Sequence, residues 1–510
     1  MHAMQIITQN KLFSSLTLFL LGAFCVLGFA PFYFYPASIL SLIGLCYFWH
    51  QDCTPKQAAV AGLIYGLGLF IFGIYWIYIS LHDFGNMPSI IAALATFLLC
   101  AFMALFTSLV GAISVKISRK QSLQLLISIP VFWALADWTR SWIFTGFPWL
   151  TMGYSQVPNS PLAGFTPITG IYGVSMITVF IANLIGFWLA KKPVSNIWKR
   201  NSIALLVTIC IAGSFLKLVE WTKPTSQPIS VALLQGNIAQ DLKWNPENVE
   251  HTLNLYLQMV ESSSAKLIIT PETALPLLSN EIPTELVSRL QLLSARNQST
   301  VLVGMIEREN GEYFNSMLNL SIPHPEAYRK SHLVPFGEFI PFKAAFGWIY
   351  RDLLNMPLSD LSRGSIHQQP MSIAGEKVAL NICYEDVFGE EIIRQLPTAT
   401  LLVNASNDAW YGQSNAAYQH MQFSQARALE TGRTVLRATN TGATAIIDPH
   451  GNLLAHAPHF TETTLNGMAQ GYRGSTPYVR WGNWLFLALS FIGLISICLP
   501  NFLASRRKTK

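Results

Sequence analysis

Long apolar runs crowd the first 218 residues and return once near the end. A helix that crosses a bilayer needs about 20 predominantly apolar residues. Eight runs reach or approach that length: 12–30, 36–50, 57–80, 89–114, 122–138, 162–190, 201–218 and 484–504, the second and fifth being short. Charged residues are 12% of the chain, about half the share of an ordinary soluble protein. So much apolar sequence cannot all be buried in a water-soluble core. The expectation is a polytopic helical membrane domain over residues 1–218, an extramembrane domain over 219–483, and an eighth span with a basic tail over 484–510.

The basic residues fall between these runs and predict their orientation. Lys and Arg concentrate on the cytoplasmic side of membrane proteins. Lys11 precedes the first run; Lys116, Arg119 and Lys120 separate the fourth and fifth; Lys191, Lys192, Lys199 and Arg200 separate the sixth and seventh; Arg506, Arg507, Lys508 and Lys510 follow the eighth. All fall on one side if the chain starts inside. The opposite loops, 31–35 and 81–88, have no Lys or Arg, and 139–161 has only Arg140. Both termini are therefore expected in the cytoplasm and residues 219–483 outside. The first run is read as a retained span, because Phe24 is too large to precede a lipoprotein cysteine at Cys25. Gly62 and Gly66 have the spacing of a helix-packing motif. Arg140 fits either a helix anchor or a phosphate contact. The net charge of +6 is modest, and basic residues do not interleave with aromatics on one face, so nucleic-acid binding is not expected.

Residues 219–483 read differently. Short apolar, β-branched runs punctuate them at 229–237, 267–270, 300–306, 378–382, 401–404, 435–438 and 443–447, with helical stretches such as 283–295 and 416–431 between. Continuous apolar strands imply a sheet covered on both faces, so an α/β or layered α+β domain is predicted. Distinctive polar residues follow several runs: Glu272 after one, Cys383-Tyr384-Glu385 after another, Asn407, Asp408 and Trp410 after a third. Chemistry in such sheets gathers at the carboxyl ends of strands.

Of seven cysteines, five lie in the apolar runs, Cys53 lies in a predicted cytoplasmic loop, and Cys383 alone lies in the external domain. A lone thiol in a compartment that favours disulfides is either inert and buried or reactive. No C-x-x-C, H-E-x-x-H, H-x4-D or G-x-S-x-G pattern is present, so neither a metal nor a serine elbow is expected. With no histidine adjoining Cys383, a carboxylate such as Glu272 is a plausible base for the thiol. Lys330 is a candidate to stabilise an oxyanion. Each of these residues also has a bland reading, as a solvated strand end or a surface lysine.

Together they resemble the nitrilase superfamily, whose Glu-Lys-Cys triad matches Glu272, Lys330 and Cys383 in this order. Within it the chain is most similar to the apolipoprotein N-acyltransferase family, which joins a nitrilase-like domain to eight spans. The likeness covers nearly the whole chain. It includes Gly-Phe-Ala-Pro-Phe at 28–32, Thr-Gly-Phe-Pro-Trp-Leu at 145–150, Gln-Gly-Asn-Ile at 235–238, Leu-Val-Pro-Phe-Gly-Glu at 333–338, Ser-Asn-Asp-Ala-Trp-Tyr-Gly at 406–412 and Arg-Trp-Gly-Asn-Trp at 480–484.

The resemblance implies an αββα sandwich outside a bacterial inner membrane, in the periplasm. It also implies acyl transfer from a phospholipid donor to the N-terminal amine of a diacylglyceryl apolipoprotein acceptor, with membrane lipid as the medium and no cofactor. By it, Glu272, Lys330 and Cys383 are catalytic; Glu338, Tyr384 and Glu385 are supporting residues; Trp244 and Trp410 shape the substrate entrance. Thr270 departs from the pattern, standing where many relatives carry an aromatic residue, which bears on the acyl pocket and not on the chemistry. A monomer suffices for this chemistry. Two other readings compete: a membrane-tethered nitrilase-type amidase, and a non-catalytic transporter or scaffold.

Overall fold

The computed structural model describes residues 11–118, 122–190, 195–225, 227–340 and 360–508. Of the basic residues used for orientation, Arg119, Lys120, Lys191, Lys192 and Lys510 lie outside them. The chain divides into two units. One holds residues up to Tyr75, then Ala93–Val219, then everything from Trp481; the other holds Trp76–Ala92 and Glu220–Arg480.

The first unit is helical. Five of its helical segments are long and apolar enough to cross a membrane: Lys11–Gly28, Pro55–Gly73, Ser89–Ile117, Pro161–Leu189 and Asn196–Leu216. Pro36–Trp49 and Trp484–Leu499 are shorter apolar helices. Ser122–Arg140 is also helical. Asn196–Leu216 buries only Ser202 and Gly213 and leaves Ile203, Val207, Ile211 and Phe215 exposed. A surface of that kind suits lipid rather than water. Local chemistry sets several boundaries. Thr54 and Gln57 form a reciprocal capping box at the start of Pro55–Gly73. That helix packs on Ser89–Ile117 through glycine: a side chain at Gly62 would strike the Thr107 carbonyl, and one at Gly66 would meet the Ala104 backbone. The apolar run read as 57–80 breaks at Gly73, and the chain continues as a short helix, Trp76–Ile79, and a π-helical turn, Ser80–Phe84.

Arg140 is an internal tie. It pairs with Asp137 at 2.6 Å, donates to the Trp149 carbonyl at 2.9 Å and lies over the Phe70 ring. Asp137 also accepts from Met152 N and Ser175 Oγ. A carboxylate and a guanidinium buried together satisfy each other, so this cluster binds helix and loop into one piece.

The second unit is layered. Its strands are β1 (Thr222–Pro224), β2 (Ile229–Gln235), β3 (Leu267–Ile269), β4 (Thr300–Glu309), β5 (Glu312–Asn319), β6 (Ala327–Arg329) and β7 (Met371–Ile373). There follow β8 (Glu376–Ile382), β9 (Leu401–Ser406), β10 (Thr434–Thr439), β11 (Ala445–Ile447), β12 (Leu453–His456), β13 (Thr463–Ala469) and β14 (Tyr472–Gly474). One six-stranded sheet runs β13-β2-β3-β4-β5-β6, another runs β12-β11-β10-β9-β8-β7, and β1 pairs with β14. The centre of each sheet is parallel, β2-β3-β4 in one and β8-β9-β10 in the other.

Side-chain alternation builds the layers. Val231, Leu233 and Ile269 face Val378, Leu380, Val403 and Leu436 in a shared core between the sheets. Ala232, Leu234 and Ile268 turn the other way, onto Leu255, Tyr256 and Leu290 of the helices Pro246–Glu261 and Thr284–Asn297. Leu402, Val435 and Ile447 likewise meet Met421 and Ala428 of the helix Ala416–Thr431. Neighbouring residues of a strand point to opposite faces, and here both faces are covered. That is why the strands read as unbroken apolar runs.

Candidate active site

Several strands end in polar turns, and these turns converge. Glu272 follows β3, Lys330 follows β6, Cys383 follows β8, Asn407 and Asp408 follow β9, and Asn440 follows β10. Cys383 opens a 3-10 turn, Cys383–Val387, with φ of 52°. A residue with a Cβ rarely adopts that left-handed conformation, so the surroundings must hold it.

Two clamps do so. The first is Glu385. One of its oxygens accepts from Ile382 N at 2.7 Å and Tyr328 Oη at 2.9 Å. The other accepts from Ser331 N, Ser331 Oγ and His332 N at 2.7, 2.8 and 3.1 Å. Glu385 thus ties the turn of Cys383 to the segment directly after Lys330. The second clamp grips the Cys383 carbonyl. Asn404 Nδ2 donates to it at 3.2 Å, and His420 Nε2 lies 3.1 Å from it. His420 is held in turn by Asp408 at 2.9 Å, and Asp408 by Arg437 at 2.7 Å, all fully buried. Burial opposes ionisation of Asp408, but Arg437 and His420 hold its carboxyl well below the usual range.

The charged groups form a compact set. Lys330 Nζ lies 3.3 Å from Glu272 Oε1 and 2.9 Å from Glu338 Oε2. Asn315 Nδ2 donates to both carboxylates, at 2.7 and 2.8 Å. Glu272 Oε2 accepts from Asn407 N at 2.9 Å, and Glu338 Oε2 from Val334 N at 2.8 Å. Burial disfavours the charge on Lys330, yet Glu272 and Glu338 more than offset that and keep it protonated. Burial likewise works against the Glu272 carboxylate, but Lys330, Asn315 and Lys243 bring its pKa below the ordinary value. The Cys383 thiol is pushed up, first by burial and then by the negative charge of Glu272, with Lys330 pulling the other way. The resting set is a neutral thiol beside an ionised carboxylate and a firm ammonium. Such a set can pass a proton from sulfur to carboxylate and stabilise a negative oxygen.

Of the other residues singled out in the sequence, Tyr384 is buried and packs edge-on against His332 and Phe388. Trp244 is half-buried on a cluster of Ile306, Leu333 and Leu361. Trp410 is half-buried; its carbonyl accepts from Ser80 Oγ at 2.7 Å and its ring meets Phe84. Beside it, Tyr411 packs edge-on against Trp76, whose indole donates to Gln419 at 3.2 Å. Sequence reasoning missed Lys243, Asn315, His420 and Arg437. A lysine three residues before a helix that starts at Pro246, or polar residues inside a strand or helix, carry no motif of their own. Their burial is visible only in three dimensions. Among the described residues no cluster of His, Cys, Asp and Glu is arranged to hold a metal.

Residues 21–184 match the model of the apolipoprotein N-acyltransferase N-terminal domain, and residues 230–478 match that of carbon-nitrogen hydrolases. The apolipoprotein N-acyltransferase of Nitrosomonas europaea is 47% identical over 503 residues, covering 98% of this chain and 100% of its own. That of Chromobacterium violaceum is 43% identical, covering 91% and 89%. A solved CN-hydrolase superfamily protein from Xanthomonas campestris is 18% identical, covering 52% of this chain and 97% of its own with a TM-score of 0.37. Helical membrane segments, a two-sheet domain with a Glu-Lys-Cys set at its strand ends, and full-length relatives at this identity lead to one assignment: the chain belongs to the apolipoprotein N-acyltransferase family.

Proposed function

We propose that this acyltransferase moves an acyl chain from a membrane phospholipid to the N-terminal amine of a diacylglyceryl-cysteine apolipoprotein, through a thioester on Cys383. The observation that carries the mechanism is the meeting of Lys330 with Glu272 and Glu338 in a buried set that acts on the Cys383 thiol. Family membership supplies the reaction class, lipoprotein N-acylation.

In the first half-reaction Glu272 takes the thiol proton as sulfur attacks the ester carbonyl. Because the resting thiol is neutral and Glu272 ionised, proton transfer accompanies attack rather than preceding it. Lys330 faces the oxyanion that forms. The ester C–O bond breaks, Glu272 returns the proton to the leaving oxygen, and a lysophospholipid departs. The donor chain is the sn-1 chain. In the second half-reaction the acceptor amine attacks the thioester, Glu272 takes its proton, the C–S bond breaks and the thiol is restored. Glu338 steadies Lys330, Tyr384 and Glu385 shape the nucleophile turn, and Trp244 and Trp410 line the approach for acyl chains. Each CH2 kept out of water is worth roughly 0.8 kcal/mol, so a membrane-borne site spares both substrates a large cost. Residues 1–218 and 484–510 form the membrane part with eight spans and cytoplasmic termini, in a bacterial inner membrane, and 219–483 form the periplasmic catalytic domain. The protein works as a monomer without cofactor. Relatives named for N-acyltransfer over nearly the full chain do not favour the amidase alternative.

Intact mass measurement of the purified protein with phospholipid and no acceptor tests this. One acyl chain of added mass, absent in Cys383→Ala and discharged by a diacylglyceryl peptide, is expected. Release of ammonia from small amides without any acyl adduct would overturn it.

A further inference from the structure

A second lysine enters the same set of charges. Lys243 lies in the loop between β2 and the helix Pro246–Glu261, yet it is only 3% exposed. Its Nζ donates to the Glu272 carbonyl at 3.2 Å and to Thr273 Oγ1 at 2.5 Å. Thr273 has φ of 44°, so the amine grips a left-handed turn directly beside the base. The loop is stitched down from the other side: Gln240 accepts from Asn407 Nδ2 at 2.7 Å, and Asn440 holds Ile238 through both its amide atoms. Burying a long charged side chain is costly unless its charge is matched. The charge that matches Lys243 is that of the active site.

We propose that Lys243 is a second cationic positioning residue of the catalytic set, fixing the Glu272–Thr273 turn and balancing the charge of the two carboxylates. Glu272 and Glu338 carry two negative charges, and Lys330 alone would leave the set at −1. With Lys243 the set is neutral. Proton transfer from Cys383 to Glu272 moves a negative charge from oxygen to sulfur without changing that balance. Without Lys243 the thiolate would form inside a set already carrying excess negative charge. The titratable groups that act on Lys243 and Glu272 are each other, Lys330 and Cys383; Glu338 shares Lys330 with Glu272, and Tyr411 feels the charges of Cys383, Asp408 and Glu272. Burial lowers Lys243 to about 8 against the opposite pull of Glu272 and Cys383, so its charge is present below that pH and lost as pH rises through it.

This rests on the Glu272–Cys383 chemistry proposed above, and the test separates the two. The acyl-adduct rate is followed against pH in the full-length protein with phospholipid, for the unaltered chain and for Lys243→Met, Lys243→Arg and Thr273→Val. Absence of any adduct in the unaltered protein would refute the thioester mechanism and this proposal with it. Given an adduct, Lys243→Met is expected to slow acylation on the order of 10- to 100-fold. The donor KM should move less than about threefold, because the charge acts on the reacting groups and not on binding. The acid limb should shift upward, since Glu272 loses a neighbour that lowers its pKa. Lys243→Arg and Thr273→Val keep the positive charge and should keep the acid limb in place. A structural role alone would slow the reaction without moving that limb. A folded Lys243→Met with an unshifted limb overturns the proposal. Should that variant not fold, Lys243→Gln, which keeps a donor for Thr273 and removes the charge, still decides: an acid limb left in place overturns the proposal.

Discussion

Glu385 offers the sharpest test of how the turn of Cys383, the proposed nucleophile, is held. Five donors converge on its two oxygens, three of them backbone N–H groups, of Ile382, Ser331 and His332. The other two are the hydroxyls of Tyr328 and Ser331, which can rotate to accept instead. Glu385→Gln keeps one carbonyl oxygen. If that oxygen serves Ser331 and His332, the amide NH2 faces the Ile382 N–H, and one buried donor loses its partner. Such a group costs about 1–3 kcal/mol. Glu385→Ala strands all three, on the order of 3–9 kcal/mol if the segment stayed shut. That is comparable to the whole stability of a domain, so the turn would open instead and release Cys383 from its left-handed conformation. Misplacing a reacting atom by about 1 Å can cost on the order of 100-fold in rate. Thermal unfolding and the acyl-adduct rate should therefore both fall, and fall further for alanine than for glutamine. Equal unfolding midpoints and equal acylation rates for Glu385→Ala and the unaltered protein would refute the clamp.

Three further outcomes are expected. Glu272→Gln should preserve the fold while lowering acylation by roughly 100- to 10,000-fold, read as the rate of mass gain. Asp408→Asn should flatten the acid side of the stability curve: the folded Asp408 carboxyl lies below its unfolded value of about 3.9, so its contribution is full above that value and disappears as pH falls through the folded one; urea unfolding at several pH values measures this. Trp76→Ala removes a buried indole that packs on Tyr411 and bonds Gln419, which should cost about 3–5 kcal/mol and slow acylation, with calorimetry and the adduct assay as checks.

The central strands were legible because both their faces are buried. The runs at 229–237, 267–270, 300–306, 378–382 and 401–404 emerge as β2, β3, β4, β8 and β9 within a few residues. Short edge strands such as β6 and β7, three residues each, leave too little pattern to read. Lys330 was a candidate cation in the sequence, but only the resemblance set it apart from a surface lysine. Lys243 and Asn315 were not visible at all, since their partners lie 23 to 43 residues away in the chain. The apolar run at 57–80 marks the candidate span Pro55–Gly73 but overruns its end, for a physical reason. Hydropathy cannot tell a side chain bound for lipid from one bound for protein, and Trp76 and Ile79 meet Tyr411 and Gly412.

That break at Gly73 has a consequence for how the molecule is made. Residues 76–92 belong to the same compact unit as residues 220–480, yet they are synthesised before more than half of the spans. Until Trp410, Tyr411 and Gln419 have emerged, Trp76 and Ser80 lack these contacts. This unit is therefore a split fold, completed only when an early insert meets a late partner. A truncated protein beginning near Glu220 should retain its sheets but lose the contacts that Trp76, Ile79, Ser80 and Phe84 make with the 410–412 turn, which faster proteolysis at that turn would reveal.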